Sequence, residues 1–120
     1  LSHPEMGHIR VPRVSDDRFP GVCPLHGDCL EGMASGPAIS QGSRYAARYL
    51  AWGMMNLTCI LSPRMIVMGG GVMKTPGLLG EIRNHLKEEL KGYVPMPKLI
   101  RPKLRDSAGV LGAIALAQAK

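Results

Sequence analysis

The chain of 120 residues has no apolar run near the roughly 20 residues that a membrane-spanning helix needs. Nothing at its start has the pattern of a signal peptide. It has only three cysteines, two of them in one short loop and Cys59 alone in an apolar helical pattern, which does not make a disulfide framework. We therefore expect a protein of the reducing cytoplasm that has no membrane partner.

Aromatic side chains are also scarce, with one Phe, one Trp and three Tyr, so few rings are available for stacking on nucleic-acid bases. The net charge of +6 comes from Lys and Arg residues that are spread along the chain without a block of five or six. The densest stretch, 98–105, alternates basic and apolar residues, as a strand with one solvated face does. This pattern argues against a nucleic-acid partner, but such cations would still attract a phosphorylated small molecule such as a nucleotide.

The most informative stretch is a short loop, Cys23-Pro-Leu-His26-Gly-Asp-Cys29, which follows Gly7-His8 after a gap of fourteen residues. Zn²⁺ has no geometric preference from its d-electrons and binds four nitrogen or sulfur ligands as a tetrahedron. Three such donors lie on this loop, and Gly27 allows its backbone to fold back. Core thiols or a disulfide would be the alternative, but the ligand types and the close spacing favour structural zinc.

A fourth zinc ligand must come from outside this loop, and two histidines lie upstream, His3 and His8. His8 is the better candidate, because it could hold zinc with one ring nitrogen and offer the other to a ligand hydroxyl. Sugar hydroxyls are also recognised by carboxylates, which makes Glu5 and Glu31 candidates for the same pocket. From spacing alone, an ordinary solvated side chain is the better interpretation of either carboxylate.

A run of three glycines, Gly69-Gly70-Gly71, is the second chemical feature. It follows an apolar run and precedes a helical pattern, so a ligand could lie there against bare backbone, with amide N–H groups facing phosphate or ribose oxygens. The run is neither a G-x-G-x-x-G fingerprint nor a P-loop, and a tight structural turn is an equally good interpretation.

Periodicity predicts an α/β chain with a parallel or mixed sheet. The apolar run at 65–68 suits a strand covered on both faces, and Thr75 and Asp106-Ser107 suit helix N-caps. The first expected element is a short helix over 29–37 that Ser35-Gly36-Pro37 ends or bends. The others are a buried helix over 43–61 ended by Ser62-Pro63, a strand over 65–68, a helix after Thr75 that buries Leu78, Leu79, Ile82, Leu86 and Leu90, a strand over 98–104 and a helix over 108–119.

Taken together, five segments resemble the C-terminal half of a ROK-family sugar kinase, and within that family the bacterial fructokinases. The His-Pro-Glu-Met-Gly-His start and the Cys-Pro-x-His-Gly-x-Cys loop favour that branch, since many ROK glucokinases have a third Cys at the position of His26. The segments are His3-Pro-Glu-Met-Gly-His8, Cys23-Pro-Leu-His-Gly-Asp-Cys-Leu-Glu-Gly32, Ser35-Gly-Pro-Ala-Ile39, Leu61-Ser-Pro-Arg-Met-Ile-Val-Met-Gly-Gly-Gly-Val-Met73 and Asp106-Ser-Ala-Gly-Val-Leu-Gly-Ala113.

The resemblance implies an actin-like ATPase fold of the ribonuclease H-like class, of which this chain would supply most of the C-terminal lobe. It implies ATP-dependent phosphorylation of D-fructose to fructose 6-phosphate, with Mg²⁺ at the phosphates and a homodimer, for which the apolar helix near Trp52 is suited. Residues 1–39 would form the zinc-binding and sugar-contacting part, and 40–120 the nucleotide side. The implied roles are zinc ligation by His8, Cys23, His26 and Cys29, sugar contacts from Glu5, His8 and Glu31, and adenosine contacts from Gly69, Gly70 and Gly71.

Two departures from the family pattern limit this prediction. The family's aspartate base and its Asp-x-Gly phosphate loop lie upstream of the E-x-G-H motif, so we expect no catalytic residue here and no activity from these 120 residues alone. The connection between Ile39 and Tyr45 is shorter than in full-length relatives, which leaves open whether a segment is missing there. A ROK-type sugar-responsive regulator and a kinase for glucose or mannose are the alternative functions.

Overall fold

The computed structural model describes residues 4–104 and 107–118. Within these ranges, the structure has five α-helices, a two-stranded parallel sheet and 3₁₀ turns at Met6–His8 and Gly71–Lys74. The elements are α1 (Leu30–Ala34), α2 (Gly36–Ser40), α3 (Ala46–Leu61), β1 (Met65–Val67), α4 (Leu78–Leu90), β2 (Lys98–Ile100) and α5 (Ala108–Gln118). The α/β prediction is confirmed, and the sheet is of the parallel kind.

The short helix predicted after the cysteine loop is broken into α1 and α2 at Ser35. The backbone of Ser35 is extended, and its Oγ accepts a hydrogen bond from the Ala38 N–H at 3.4 Å, so it is the N-cap of α2. A proline in the first turn, Pro37, is tolerated because its missing N–H would have no partner inside the helix. The chain therefore changes direction one short helix after the loop at 23–29, which is called the metal loop below.

A tight turn makes the short connection between α2 and α3. Gly42 has a φ of 103°, which only glycine adopts without strain, and Ser43 is buried just after it. The Ser43 N–H donates to Ala38 O at 2.9 Å, and its hydroxyl donates to Met33 O at 2.5 Å. These bonds close the connection against α1.

Helix α3 joins two apolar clusters. Its first half packs with α1 and with apolar residues of the segment before the metal loop, and its middle packs with α4 and the sheet. The prediction that the helix is buried throughout is wrong at its C-terminal end, where Ile60 is 76% exposed and Leu61 is 65% exposed. No other part of the described chain covers that end, and Ser62 ends the helix with a left-handed backbone, φ 45°.

The sheet pairs β1 with β2 in parallel register, with Ile66 opposite Leu99. Ile66 faces the larger apolar cluster, whereas Met65 and Val67 are 50% and 56% exposed on the other face. The prediction of a strand covered on both faces is therefore wrong for the described structure, in which no helix lies over that face. Strand β2 is also shorter than predicted, since Pro102 has no N–H with which to continue the ladder.

Helix α4 starts later than predicted. Thr75 is not its cap, because Thr75-Pro76-Gly77 forms a turn and the left-handed Gly77 precedes the helix at φ 78°. The expected apolar stripe is confirmed, with Leu78, Leu79, Ile82, Leu86 and Leu90 all buried.

Helix α5 ends the described chain and has no buried residue. The predicted cap residue Asp106 and the predicted helix end at Ala119 lie outside the described residues, as does His3. Among the described helices, none combines the length and the apolar character that crossing a bilayer requires.

Candidate metal centre

Four potential metal ligands meet at one point of the structure. A nitrogen or sulfur atom from each of His8, Cys23, His26 and Cys29 lies within 4.8 Å of the corresponding atoms of the other three. Nδ1 of His8 is 3.7 Å from Sγ of Cys23 and 3.6 Å from Sγ of Cys29, and Nδ1 of His26 is 3.9 Å from Sγ of Cys23. The four residues predicted from the sequence therefore form a single cluster.

These separations suit a tetrahedral ion. With metal–nitrogen and metal–sulfur distances of about 2.0–2.3 Å, the edges of a tetrahedron are about 3.3–3.8 Å long. Three of the six separations, at 3.6, 3.7 and 3.9 Å, are close to these edges, and all six are within 4.8 Å. Two thiols and two imidazoles are also the donors that zinc prefers in closed structural sites. The residues present thus fit a zinc ion, with His8 as the fourth ligand.

The two thiols have different environments. Backbone hydrogen bonds, chiefly from the His26 N–H, lower the pKa of Cys23 to about 6, whereas burial raises the pKa of Cys29. A metal binds thiolates, so a thiol that is already ionised near neutral pH favours binding. Cys23 is therefore the thiol that is prepared for a metal, and the Cys29 proton must leave when the metal binds.

Backbone contacts give the loop its shape. The N–H of Cys23 donates to Gly27 O at 3.2 Å, and the N–H of Gly27 donates to Cys23 O at 2.9 Å, which closes a narrow hairpin. Gly32 of α1 packs so closely that a β-carbon there would overlap the Gly27 carbonyl oxygen and lie 3.0 Å from Cβ of Cys23. The N–H of Leu30 donates to Ile9 O at 3.0 Å, which joins this hairpin to the segment that carries His8.

Next to the metal ligands lie two of the predicted sugar-contacting side chains. Nε2 of His8, on the side of the ring away from the thiols, is 3.3 Å from Oε2 of Glu31. Glu31 is half-exposed, so its carboxylate is accessible from solvent. Glu5 is exposed at the start of the same 3₁₀ turn, where its carbonyl accepts from the His8 N–H at 3.0 Å. The structure thus brings His8 and Glu31 together and places Glu5 one turn away.

Three further residues near the centre were missed by the sequence analysis. Asp17 is only 5% exposed, and its carboxylate accepts hydrogen bonds from the Tyr49 hydroxyl at 2.5 Å and from the Phe19 N–H at 2.9 Å. Burial acts to raise the pKa of Asp17, but these hydrogen bonds and the nearby Arg13 lower it overall. Burial and the Asp17 contact raise the pKa of Tyr49 to about 12. No motif marks these residues, because they are far apart in sequence.

The triple glycine lies at the carboxyl end of β1. Gly70 has a φ of 85° and so needs to be glycine for its backbone conformation, and a β-carbon at Gly69 would be 3.3 Å from Cγ of Pro102. At Gly71, by contrast, a β-carbon would meet nothing within 4 Å. The turn is therefore structural at its first two positions and open to a ligand at its third.

Helix α2 packs near the triple glycine. A β-carbon at Gly36, the first residue of α2, would lie 4.0 Å from Cγ2 of Val72, which directly follows the glycines.

The chain matches known proteins over nearly its whole length. A model of the ROK family matches residues 2–45 and 40–120. The fructokinase of Zymomonas mobilis subsp. mobilis is 41% identical over 140 residues, which cover 99% of this chain and 46% of that protein. The fructokinase of Pediococcus pentosaceus is 34% identical over 136 residues, which cover 98% and 47%. The chain spans about half the length of the curated relatives that it matches.

The same comparisons bear on the short connection between Ile39 and Tyr45. The alignment with the Zymomonas protein extends over 140 residues although this chain has 120, so that relative has residues without a counterpart here. The two pieces of the family match meet at 40–45. The break in the match thus falls where the connection is shorter than the family pattern implies.

Solved structures show the same fold. The ROK hexokinase from Thermus thermophilus has a TM-score of 0.73 and 25% identity, covering 93% of this chain and 46% of that one. The ROK glucokinase from Streptomyces griseus, solved with glucose and AMPPNP, has a TM-score of 0.73 and 24% identity, covering 97% and 51%. The fold is therefore that of ROK sugar kinases, an actin-like ATPase fold. With a family match over nearly all residues and relatives above 30% identity, this chain belongs to the ROK family.

Proposed function

We propose that this chain is the C-terminal lobe of an ATP-dependent hexose kinase that transfers the γ-phosphoryl group of ATP to the 6-hydroxyl of D-fructose. The observation that carries the proposal is the contact between Nε2 of His8 and Oε2 of Glu31, on the side of the imidazole away from the thiols. This pair of side chains forms a polar surface, accessible from solvent, beside the proposed metal centre. The fructokinases among the relatives support fructose as the substrate.

On the sugar side, the proposal assigns hydrogen bonds with hexose hydroxyls to Glu5, His8 and Glu31. The Glu31 carboxylate has further acceptor positions for hexose hydroxyls, and the Nε2–H of His8 can donate either to Oε2 of Glu31, 3.3 Å away, or to a sugar oxygen. Hydrogen bonds to charged groups are the stronger kind and are short and directional. We expect Glu31 to orient the sugar rather than to take part in proton transfer.

The proposed metal is a structural zinc ion held by His8, Cys23, His26 and Cys29. Four protein ligands leave no open position for substrate or activated water, so the ion would supply shape rather than chemistry. Because a ligating imidazole has a fixed tautomer, zinc at Nδ1 of His8 would leave a proton on Nε2, facing Glu31. The ion would thereby set the direction of a sugar-facing donor.

On the nucleotide side, the proposal places the adenosine part of ATP against the turn at Gly69–Gly71. Phosphoryl transfer depends mainly on positioning and on charge neutralisation by Mg²⁺. We assign the catalytic base and the phosphate loop to the part of the relatives' length that this chain does not span, and therefore assign the activity to the complete enzyme.

A cytoplasmic location and a homodimer are further parts of the proposal. The exposed apolar end of α3, at Ile60 and Leu61, supports a subunit contact.

A coupled kinase assay on the complete enzyme tests the function, with fructose, glucose and mannose as acceptors. We expect turnover with fructose, and we expect Glu31→Gln to raise the KM for fructose about 10–100-fold, since hydrogen bonds to charged groups contribute about 1.5–3 kcal/mol. The KM for ATP should stay unchanged. Glu81→Gln, an exposed carboxylate on α4, is the matched control and should behave as wild type.

Two outcomes would contradict the assignment. An unchanged fructose KM in Glu31→Gln would remove Glu31 from the sugar site. Sugar binding without phosphorylation of any of the three hexoses would favour the sugar-responsive regulator instead.

A further inference from the structure

The segment between the first metal ligand and the second, residues 9–22, is referred to below as the connecting loop. It contains no helix and no strand. If a loop of this length were disordered before the metal bound, ordering it would weaken metal binding through His8, because each ordered residue costs about 1–2 kcal/mol of backbone entropy. Contacts within the connecting loop offset part of this cost, and so add to the free energy with which the ion holds the segment.

Arg13 makes the contacts that span the connecting loop. Its Nε donates to Asp17 O at 3.3 Å, and its Nη2 donates to Phe19 O, so the guanidinium binds two carbonyls further along the loop. Its Nη1 lies 3.3 Å from Oδ2 of Asp28. Asp28 stands between His26 and Cys29 in the sequence, and its other carboxylate oxygen accepts from Nη1 of Arg10. Two arginines therefore join the connecting loop to the metal loop, and Arg13 is the one of the two that also binds carbonyls of the connecting loop itself.

A second contact fixes the connecting loop to the body of the fold. The carboxylate of Asp17 accepts from the hydroxyl of Tyr49, which is 1% exposed on α3, and the same hydroxyl accepts from the Val14 N–H at 3.4 Å. Because α3 is a rigid element, this contact fixes the position of the connecting loop relative to α3. The backbone of Arg13 is thereby held where its planar guanidinium group reaches Asp28.

We propose that Arg13 is a positioning residue for the metal centre. Its guanidinium holds the connecting loop against Asp28, so that His8 is delivered to the thiols of Cys23 and Cys29 in the arrangement that a metal needs. It touches neither metal nor substrate. The Asp28 contact alone is exposed and weak, and the effect comes from one planar group that binds three acceptors at once. The inference rests on the proposed metal centre.

Zinc release from the chain tests this inference. Partners that support metal ligands typically change metal affinity 10–100-fold when they are mutated. We therefore expect Arg13→Met to speed the transfer of zinc to a chromophoric chelator at least about 10-fold, and to alter the absorption spectrum of the Co²⁺-loaded chain. Arg13→Lys should also release zinc fast, since an ammonium group cannot bind three acceptors held in a plane.

Arg18→Met is the matched control, because Arg18 lies in the same loop, is exposed and has the same charge. It should release zinc at the wild-type rate. A general loss of stability would lower the melting temperatures of the metal-free and metal-loaded chains equally. A positioning role instead reduces the increase in melting temperature that zinc produces, because that increase depends on the metal affinity.

The outcomes separate this inference from the proposed metal centre. If the wild-type chain takes up no zinc, the metal centre itself is wrong. If wild type binds zinc and Arg13→Met releases it no faster than Arg18→Met, the role of Arg13 is wrong while the centre stands. Full restoration of slow release by Arg13→Lys would show that charge acts rather than the fork, and would also overturn the proposal.

Discussion

Removal of the metal is expected to unfold the first third of the chain. Residues 4–29 contain only a 3₁₀ turn and the narrow hairpin, and their apolar contacts are with α1 and the start of α3. Binding of structural zinc is worth about 10–16 kcal/mol in zinc-finger peptides near neutral pH, which is more than so small a cluster supplies. Hydrogen exchange should show that a chelator abolishes backbone protection in 4–34 and leaves α3, α4 and the sheet protected.

Variants extend this test. Cys29→Ser should reproduce the chelated state, because Cys29 is fully buried among the ligands. Cys59→Ser is the matched control, since Cys59 is exposed and far from the centre in sequence, and it should keep full protection with metal present. Unchanged protection of 4–34 after complete metal removal would mean that apolar packing, and not the ion, organises this segment.

Substitution of Gly32 by alanine should disrupt the metal loop as severely as removal of the metal does. A β-carbon at this position would overlap the Gly27 carbonyl oxygen and lie 3.0 Å from Cβ of Cys23. Backbone atoms cannot give way as a flexible side chain does, so the hairpin must move and the Cys23 ligand with it. Overpacking of this kind costs about 1–3 kcal/mol or more. We expect Gly32→Ala to lower both the melting temperature and the zinc content of the purified chain.

Gly80→Ala is the control for that experiment. Gly80 is also a helical glycine, in α4, but a β-carbon there would meet nothing within 4 Å. Alanine has the higher helix propensity, so this variant should be neutral or slightly more stable. Equal behaviour of the two variants would show that the close approach of Gly32 is not a constraint on the loop.

The clustering of the four candidate ligands was predictable, because zinc chemistry restricts both the types of residue and their spacing. Three potential ligands within seven residues are necessarily close together in space. His8 is predicted as the fourth, with its other ring nitrogen left for a polar partner. That nitrogen does face a carboxylate, that of Glu31. The roles of the sugar-facing residues and of the glycine turn stay predictions, since their ligands have not been tested.

The supporting contacts of the centre could not have been predicted in the same way. Asp17 and Tyr49 are 32 residues apart, and either would suit a solvated surface or an ordinary core position. Only the fold brings them together, and only in the fold does the hydrogen bond from the Tyr49 hydroxyl compensate the burial of the Asp17 carboxylate. Residue type without tertiary structure does not distinguish Arg13 from Arg18 in the same loop.

The two wrong predictions of burial, for 65–68 and for the end of α3, have a common physical origin. Apolar runs at 65–68 and at the end of α3 predict burial, yet Met65, Val67, Ile60 and Leu61 are exposed. Hydrophobicity indicates that a surface is suited to being covered, but it does not indicate that the covering element lies in the same 120 residues. The half-length coverage of the relatives is in accord with these faces packing against other polypeptide.

X-ray absorption spectroscopy on the metal-loaded chain, with metal analysis of the same sample, tests the central claim most directly. The account predicts one zinc ion per chain, with two sulfur neighbours at about 2.3 Å and two imidazole nitrogens at about 2.0–2.1 Å. Loss of one nitrogen neighbour in His8→Ala would identify the fourth ligand. A first shell without sulfur, or a chain that retains no zinc, would contradict it.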